Sequence, residues 1–387
     1  MLLLNWKGRP AWAKAGFPAV LVALVLAASG LVLTPGPGVA QNATPAVVTA
    51  TPDPALDALD RAIAYLIDQQ GDDGGFIGLS GTSDPGTTAD AVVALKAAEI
   101  RGVATTSAIN TATGYLEDQA AAYAAVGPGQ AAKLALAVVA AGRDPSRFGG
   151  VDLLAAATSP AAAPAAGTPA ATPTVPGVYG TGLYDHGLAL LALAAAGRDP
   201  EPAAIDVLRA TQVDDGSWSF AGTTEPGSGD SNTTALIIQA LVATGNGEDP
   251  MVENALQYLA SVETTTGQFA FQSADPLVAD ANSTALAVQA IIATGGDSTS
   301  ADDWKNAARG LAAFQNVSGS FRYQDTDPSD NLLATLQAIP ALAGVRLPVG
   351  MACDQATPAA APAGTPIVAL PSPSRSEVPC VQMEAAA

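Results

Sequence analysis

The segment Asp230-Ser231-Asn232-Thr233-Thr234 sets a carboxylate, an amide and two hydroxyls directly before an apolar run that ends at Gly245. Such a cluster can work as acid and base at the mouth of a pocket, or it can satisfy the free N–H groups of a helix start. A near copy, Asp280-Ala281-Asn282-Ser283-Thr284, follows, and Asp330-Asn331 begins a third. Asp185 and His186, the one histidine of the chain, hold the corresponding place upstream. Ten residues are therefore candidates for the rim of a ligand site: Asp185, His186, Asp230, Asn232, Thr234, Asp280, Asn282, Thr284, Asp330 and Asn331. Paired carboxylates among them would suit glycosidic acid–base chemistry. Their periodic recurrence favours capping instead, because catalysis needs differentiated residues, so none is assigned a catalytic role. A lone histidine is more often a packed polar group than a metal ligand, and no metal site is expected.

The elements that carry these residues repeat. Ala-rich apolar runs end at Gly102, Gly142, Gly197, Gly245, Gly295 and Gly344. Each run is apolar nearly all round, as a buried inner helix is, and each glycine suits the left-handed residue that ends a helix. The chain then restarts, at Asp144-Pro145, Asp199-Pro200 and Asp249-Pro250, with Asp53-Pro54 opening the first repeat; an aspartate cap followed by proline starts a helix. The segments that follow are amphipathic, as outer helices are. Six such hairpins could close a ring or stack as an open solenoid.

Between the two helices of a hairpin runs a loop with its own pattern: "QGDDGGF" (Gln70–Phe76), "QVDDGSW" (Gln212–Trp218), "ETTTGQF" (Glu263–Phe269) and "QNVSGSF" (Gln315–Phe321). Glycine permits a tight turn, the aromatic can wedge between neighbouring hairpins, and the glutamine can cap a helix end. A second aromatic follows two residues later in Phe220, Phe271 and Tyr323. Over residues 54 to 345 this pattern resembles the QW-type repeat of squalene and terpene cyclases and protein prenyltransferases. Repeats two and three are degenerate.

That resemblance implies an all-α (α/α)6 toroid with inner helices around a cavity. In the cyclases, an Asp-x-Asp-Asp-Thr-Ala run at an inner helix start supplies a strong acid to an alkene or epoxide. The matching positions here are Asp230-Ser231-Asn232-Thr233-Thr234-Ala235, with Asn232 and Thr233 in place of the paired acids. The prenyltransferase zinc set of Asp, Cys and His has no counterpart either, since both cysteines, Cys353 and Cys380, lie outside the repeats. The Cys–Gln thioester of complement-like toroids is absent for the same reason. The phrases "DSNTTALIIQALVATG" and "DANSTALAVQAIIATGG" are also similar, more loosely, to the α-barrel domain of intrinsic factor and transcobalamin. Those proteins bind cobalamin with the help of a β-rich domain, and no strand-rich segment follows Gly344.

Composition narrows the classes. A net charge of -20, with 36 acidic against 16 basic residues, repels phosphate backbones and anionic lipid, so no nucleic-acid partner is expected. Lys7, Arg9 and Lys14 precede the uncharged stretch Gly16 to Leu33, so residues 1–40 read as a signal peptide or, if uncleaved, a membrane anchor. Export makes a disulfide between Cys353 and Cys380 reasonable. Residues 41–53 read as a linker, 158–176 as a low-complexity insertion within the 54–346 ring, and 347–387 as a Pro/Ala-rich tail, with both termini disordered. Asn-x-Ser/Thr triplets at Asn42, Asn232, Asn282 and Asn316 match a glycosylation acceptor, but two of them recur with a helix start. The expectation is a secreted or surface-anchored non-catalytic binding protein, recognising a small apolar or corrinoid-like molecule, or a partner protein, at the inner-helix rim. It needs no cofactor, cobalamin being the one that the looser likeness implies. The alternative is a divergent enzyme on the same ring, cyclising an isoprenoid or cleaving a glycan.

Overall fold

Twelve helices occupy the described residues, 54–159, 177–296 and 307–350, of a computed structural model. The outer members are α1 (Pro54–Ile67), α3 (Thr106–Ala124), α5 (Leu153–Ala157), α7 (Pro202–Thr211), α9 (Pro250–Ser261) and α11 (Ala307–Ala312). The inner members are α2 (Pro85–Ile100), α4 (Pro128–Ala140), α6 (Leu183–Ala195), α8 (Ser231–Ala243), α10 (Ala281–Ala293) and α12 (Leu332–Leu342). Each inner helix packs on the next, and α12 packs back on α2, so the hairpins close an all-α (α/α)6 toroid rather than an open solenoid. Isolated β-bridges occur in the loops, with no longer strand among the described residues. The leader at 1–40, the linker at 41–53, nearly all of the insertion, and Cys353 and Cys380 in the tail lie outside the described residues.

All six terminal glycines adopt positive φ, from 65° to 91°, one residue beyond the C-cap of an inner helix. The next N–H returns to a carbonyl in the last turn in every case, for example Val103 to Ala98 and Asn246 to Leu241. This is the Schellman arrangement, which a glycine accommodates without a Cβ penalty. Outer starts are less regular. Asp249 caps α9 through Met251 N–H, whereas α5 is capped by Asp152 and α7 begins after Glu201, so Asp144 and Asp199 stand outside the helices.

The loop glutamines act as staples rather than helix caps. Gln70 Nε2 donates to its own loop at Gly74 O and to Ala108 O of α3; Gln212 bridges Gly216 and Met251 of α9 in the same way. Gln315 Nε2 reaches Gly319 O and, at 2.7 Å, Ala58 O of α1, which joins the last hairpin to the first. Close approach is possible because the loop glycine has no side chain: a Cβ on Gly319 (φ 92°) would fall 2.3 Å from Arg61 O. Past α12 the chain crosses beneath the ring. Leu347 N–H donates to Gln239 Oε1 of α8, and Gly350 reaches the Ala140 backbone of α4, so the first residues assigned to the tail seal the floor.

Gly319→Ala should cost about 3 kcal/mol or more, combining left-handed strain with a backbone clash at the seam. Gly102→Ala, with a similar φ of 91° but open space around it, should cost about 1–2 kcal/mol. Urea denaturation of both variants checks the difference.

Candidate functional site

A four-part clamp builds the cavity wall. Asp230 caps α8, its carboxylate accepting from Thr233 N–H (2.7 Å) and Thr233 hydroxyl (2.9 Å). Thr234, four residues past the cap, accepts Trp218 N–H at 3.0 Å and donates to Asp230 O. Asp280 and Thr284 repeat this with Phe269, Asp84 and Thr88 with Phe76, and Asn331 and Thr335 with Phe321. The clamped aromatic is fully buried between hairpins. The aromatic two positions on is not buried with it: Phe220, Phe271 and Tyr323 stand exposed at the cavity mouth, and the carbonyls of the three accept the first N–H of α6, α8 and α10.

These bonds decide what the ten candidate residues do. Asp230, Asn232, Asp280, Asn282, Asp330 and Asn331 line one cavity. Asp185, His186, Thr234 and Thr284 do not. The threonines are fully buried in their clamps. Asp185 accepts from Thr181 N–H and hydroxyl and packs where a Cβ on Gly129 would fall, so it neither caps α6 nor reaches the cavity. His186 replaces the clamp threonine: Nδ1 accepts Tyr179 N–H at 3.0 Å and Nε2 pairs with Ala204 O at 2.9 Å. With both nitrogens used and no exposure, it is a packed polar group. Asp330 lies one residue before the cap, Asn331, and collects Ser318, Ser320 and Asn316 instead. The Ser320 hydroxyl, foremost among these, holds its carboxyl below the usual range. Burial pushes Asp230 and Asp280 up against their Thr233 and Ser283 bonds.

The cavity measures about 1030 Å³ and opens at the inner-helix N-termini. Its wall is not six-fold. Six residues past the successive caps stand Asp90, Lys133, Leu188, Leu236, Leu286 and Gln337, all lining this cavity or a smaller one beneath it. One half of that layer, from α12 through α2 to α4, is polar; the other half is leucine. Lys133 Nζ meets Asp90 Oδ2 at 2.7 Å. The pair keeps about a third of its surface, and that surface faces the cavity. Desolvation acts to lower the Lys133 pKa, but the Asp90 charge and hydrogen bond outweigh it and keep the ammonium charged beyond the usual lysine range. Tyr184, two residues past the α6 cap, stacks on Phe220 at 6.1 Å. Burial raises its phenol, Lys133 opposes this, and Asp90 and Asp230 add to it, so both carboxylates act on this one ring. Asn282 Nδ2 donates to Gln337 Oε1 at 2.7 Å, whereas the Asn232 amide oxygen has no partner in its buried place.

Asp90, Lys133 and Tyr184 escaped the reading of the sequence because they share no motif. A signal existed: Asp84-Pro85-Gly86-Thr87-Thr88-Ala89 matches Asp230-Ser231-Asn232-Thr233-Thr234-Ala235, which sets Asp90 opposite Leu236. Lys133 is a single charge at the head of an apolar run. Among the described residues no group of His, Cys, Asp and Glu could hold a metal, and no helix is long and apolar enough to cross a membrane.

His186 gives the ring a measurable acid sensitivity. Burial pushes its imidazole down to about 4, so the folded protein stays neutral there while the unfolded chain takes a proton below about 6.5. Stability from this group is present above pH 6.5 and lost as pH falls toward 4, by about 2–3 kcal/mol at pH 4.5. His186→Thr restores the hydroxyl of the other clamps, and urea denaturation at pH 7 and 4.5 should find that share of the acid loss removed.

No protein-family model and no curated protein matches the chain. Among solved structures, a type II terpene cyclase, MstE from Scytonema, is similar at 18% identity and TM-score 0.51, covering 75% of this chain and 98% of that one. A variant of that cyclase with geranylgeranyl dihydroxybenzoate bound as substrate is 19% identical, with TM-score 0.52 and coverage of 75% and 97%. A glycosidase variant in complex with glucose is 12% identical, with TM-score 0.51 and coverage of 75% and 96%. The likeness establishes a helical toroid of the terpene-cyclase and glycosidase kind and lends no support to a corrinoid-binding barrel. These neighbours are enzymes. Together with helix-start donors already used inside the wall, they overturn the expectation of a non-catalytic ring that captures ligand on inner-helix N–H groups.

Proposed function

We propose that the chain is a divergent toroid enzyme that cleaves glycosidic bonds in this cavity, outside the cytoplasm, as its leader-like Gly16–Leu33 stretch leads one to expect. The observation that carries the reading is the broken symmetry at the layer of Asp90, Lys133 and Gln337. Capping residues recur with the helix, whereas these occur once, and catalysis needs residues that differ. Asp90 is the carboxylate oriented by its ion pair with Lys133; it acts as base or nucleophile at the anomeric carbon. Asp230, a cap that differs from Asp280 in acting with Asp90 on the Tyr184 ring, is the proton donor to the leaving oxygen, with its carboxyl raised by burial. Two carboxyls in different settings on one cavity, one ion-paired and one buried, are what acid–base glycoside cleavage requires.

The mouth supports a sugar. Amides and carboxylates of Asn232, Asn282, Asn331 and Asp84 alternate with the rings of Tyr65, Phe220, Phe271 and Tyr323, a lining that offers hydroxyls partners and ring faces a platform. Isoprenoid cyclisation is less well supported, because the Lys133 ammonium opposes a carbocation and Asn232 and Thr233 stand where a cyclase has its acids.

Turnover of aryl glucosides and gluco-oligosaccharides by the full chain tests this. Asp90→Asn and Asp230→Asn should each lower kcat about 100-fold or more. Asp280→Asn, which keeps an equivalent cap, should retain most of it. Activity should decline on the alkaline side as Asp230 loses its proton, above the ordinary carboxylate range. Equal losses in Asp230→Asn and Asp280→Asn, with melting temperatures matched, would sink the assignment.

A further inference from the structure

We infer that the substrate is an amphiphile: a glycoside whose apolar aglycone enters a second chamber beneath the Lys133–Asp90 pair. This rests on the glycoside reading above and adds the class of the aglycone. The chamber has a volume of about 240 Å³ and shares Asp90, Lys133 and Tyr184 with the upper cavity, so the two compartments meet at that layer. Leu188, Leu236 and Leu286 form the apolar half of that layer, and the wall continues through Leu136, Pro340 and, from the chain crossing the floor, Leu347. The chain crossing beneath is held in place, since Leu347 N–H donates to Gln239 Oε1 at 3.0 Å.

The lining decides the occupant. Its polar groups gather on one side, where Lys133 pairs with Asp90 and Gln289 Nε2 donates to Gln337 O, and the rest of the wall is apolar. A dry apolar space of about 150 Å³ takes benzene, so 240 Å³ takes a group somewhat larger than one phenyl ring. Entry lies past Leu333, Leu336 and Tyr184, which line both compartments. A sugar at the upper layer, its anomeric oxygen between Asp90 and Asp230, would thus direct its aglycone downward onto leucine.

The test is a series of methyl, butyl, hexyl and decyl glucosides, kept below their micellar concentrations, with binding measured by calorimetry and hydrolysis measured separately. Affinity should rise roughly fourfold per buried methylene and level off before decyl, when the chamber is full. Leu286→Phe and, independently, Leu188→Phe should flatten the series, read as each variant's own gain from methyl to hexyl glucoside, in variants whose thermal transition remains cooperative. A flat series in the unmodified chain overturns the chamber. Chain-length-dependent binding without hydrolysis leaves the chamber standing and overturns the catalytic reading; hydrolysis without chain-length dependence does the reverse.

Discussion

Every inner helix begins with N–H groups that no helical carbonyl can accept, and at α2, α8, α10 and α12 the ring disposes of them by a shared clamp. A carboxylate or amide takes the N–H at the third position, a hydroxyl four residues past the cap takes the N–H of a loop aromatic, and the carbonyl of a second loop aromatic takes the first N–H of the neighbouring helix. Orphan donors buried without partners would each cost on the order of 1–3 kcal/mol. Satisfying them through a loop that also spans two hairpins couples helix starts to ring closure. Loop glycines complete the coupling, since Gly74, Gly216 and Gly319 each lie against the backbone or side chain of the next outer helix.

The clamp has a consequence for the cavity. The same loops that bury Trp218, Phe269 and Phe321 carry Phe220, Phe271 and Tyr323 to the mouth, where their carbonyls hold the starts of α6, α8 and α10. The aromatic rim is therefore tied to wall construction. It leaves exposed ring faces beside amides, and it does so without drawing on the helix N-termini, which are already engaged. His186 illustrates how strictly the position is held: where the hydroxyl is missing, an imidazole takes the same N–H and finds a second partner in Ala204 O.

Against this repeated frame, the Asp90–Lys133 pair is an exception that costs stability to keep. Two charges removed from bulk water are retained only with good geometry, and a hydrophobic pair of similar size is often no less stable. The leucines at Leu188, Leu236 and Leu286 occupy the equivalent positions, so the ring has its own apolar alternative and departs from it over half the layer. Differences of this kind, set on rigid helices and facing a cavity, are what distinguish a reactive site from a structural repeat.

Repetition and local stereochemistry were legible along the chain. Glycine at each inner-helix end, the Asp230 and Asp280 caps and the hairpin loops follow from backbone rules that act over a few residues, and the sequence alone carried them. Asp185 and Asp330 misled, because an aspartate near a helix start can turn to a hydroxyl or a loop as readily as to the cap. Closure of the ring, the chamber and the partnership of Asp90 with Lys133 were decided by tertiary structure. Those two residues lie 43 positions apart, one of them on α4, whose repeat motif has faded, and they meet only when α2 and α4 turn the same layer inward. Local propensity records where a helix starts and stops; which of its faces looks into a cavity, and what stands across from it, depends on the packing of all six hairpins.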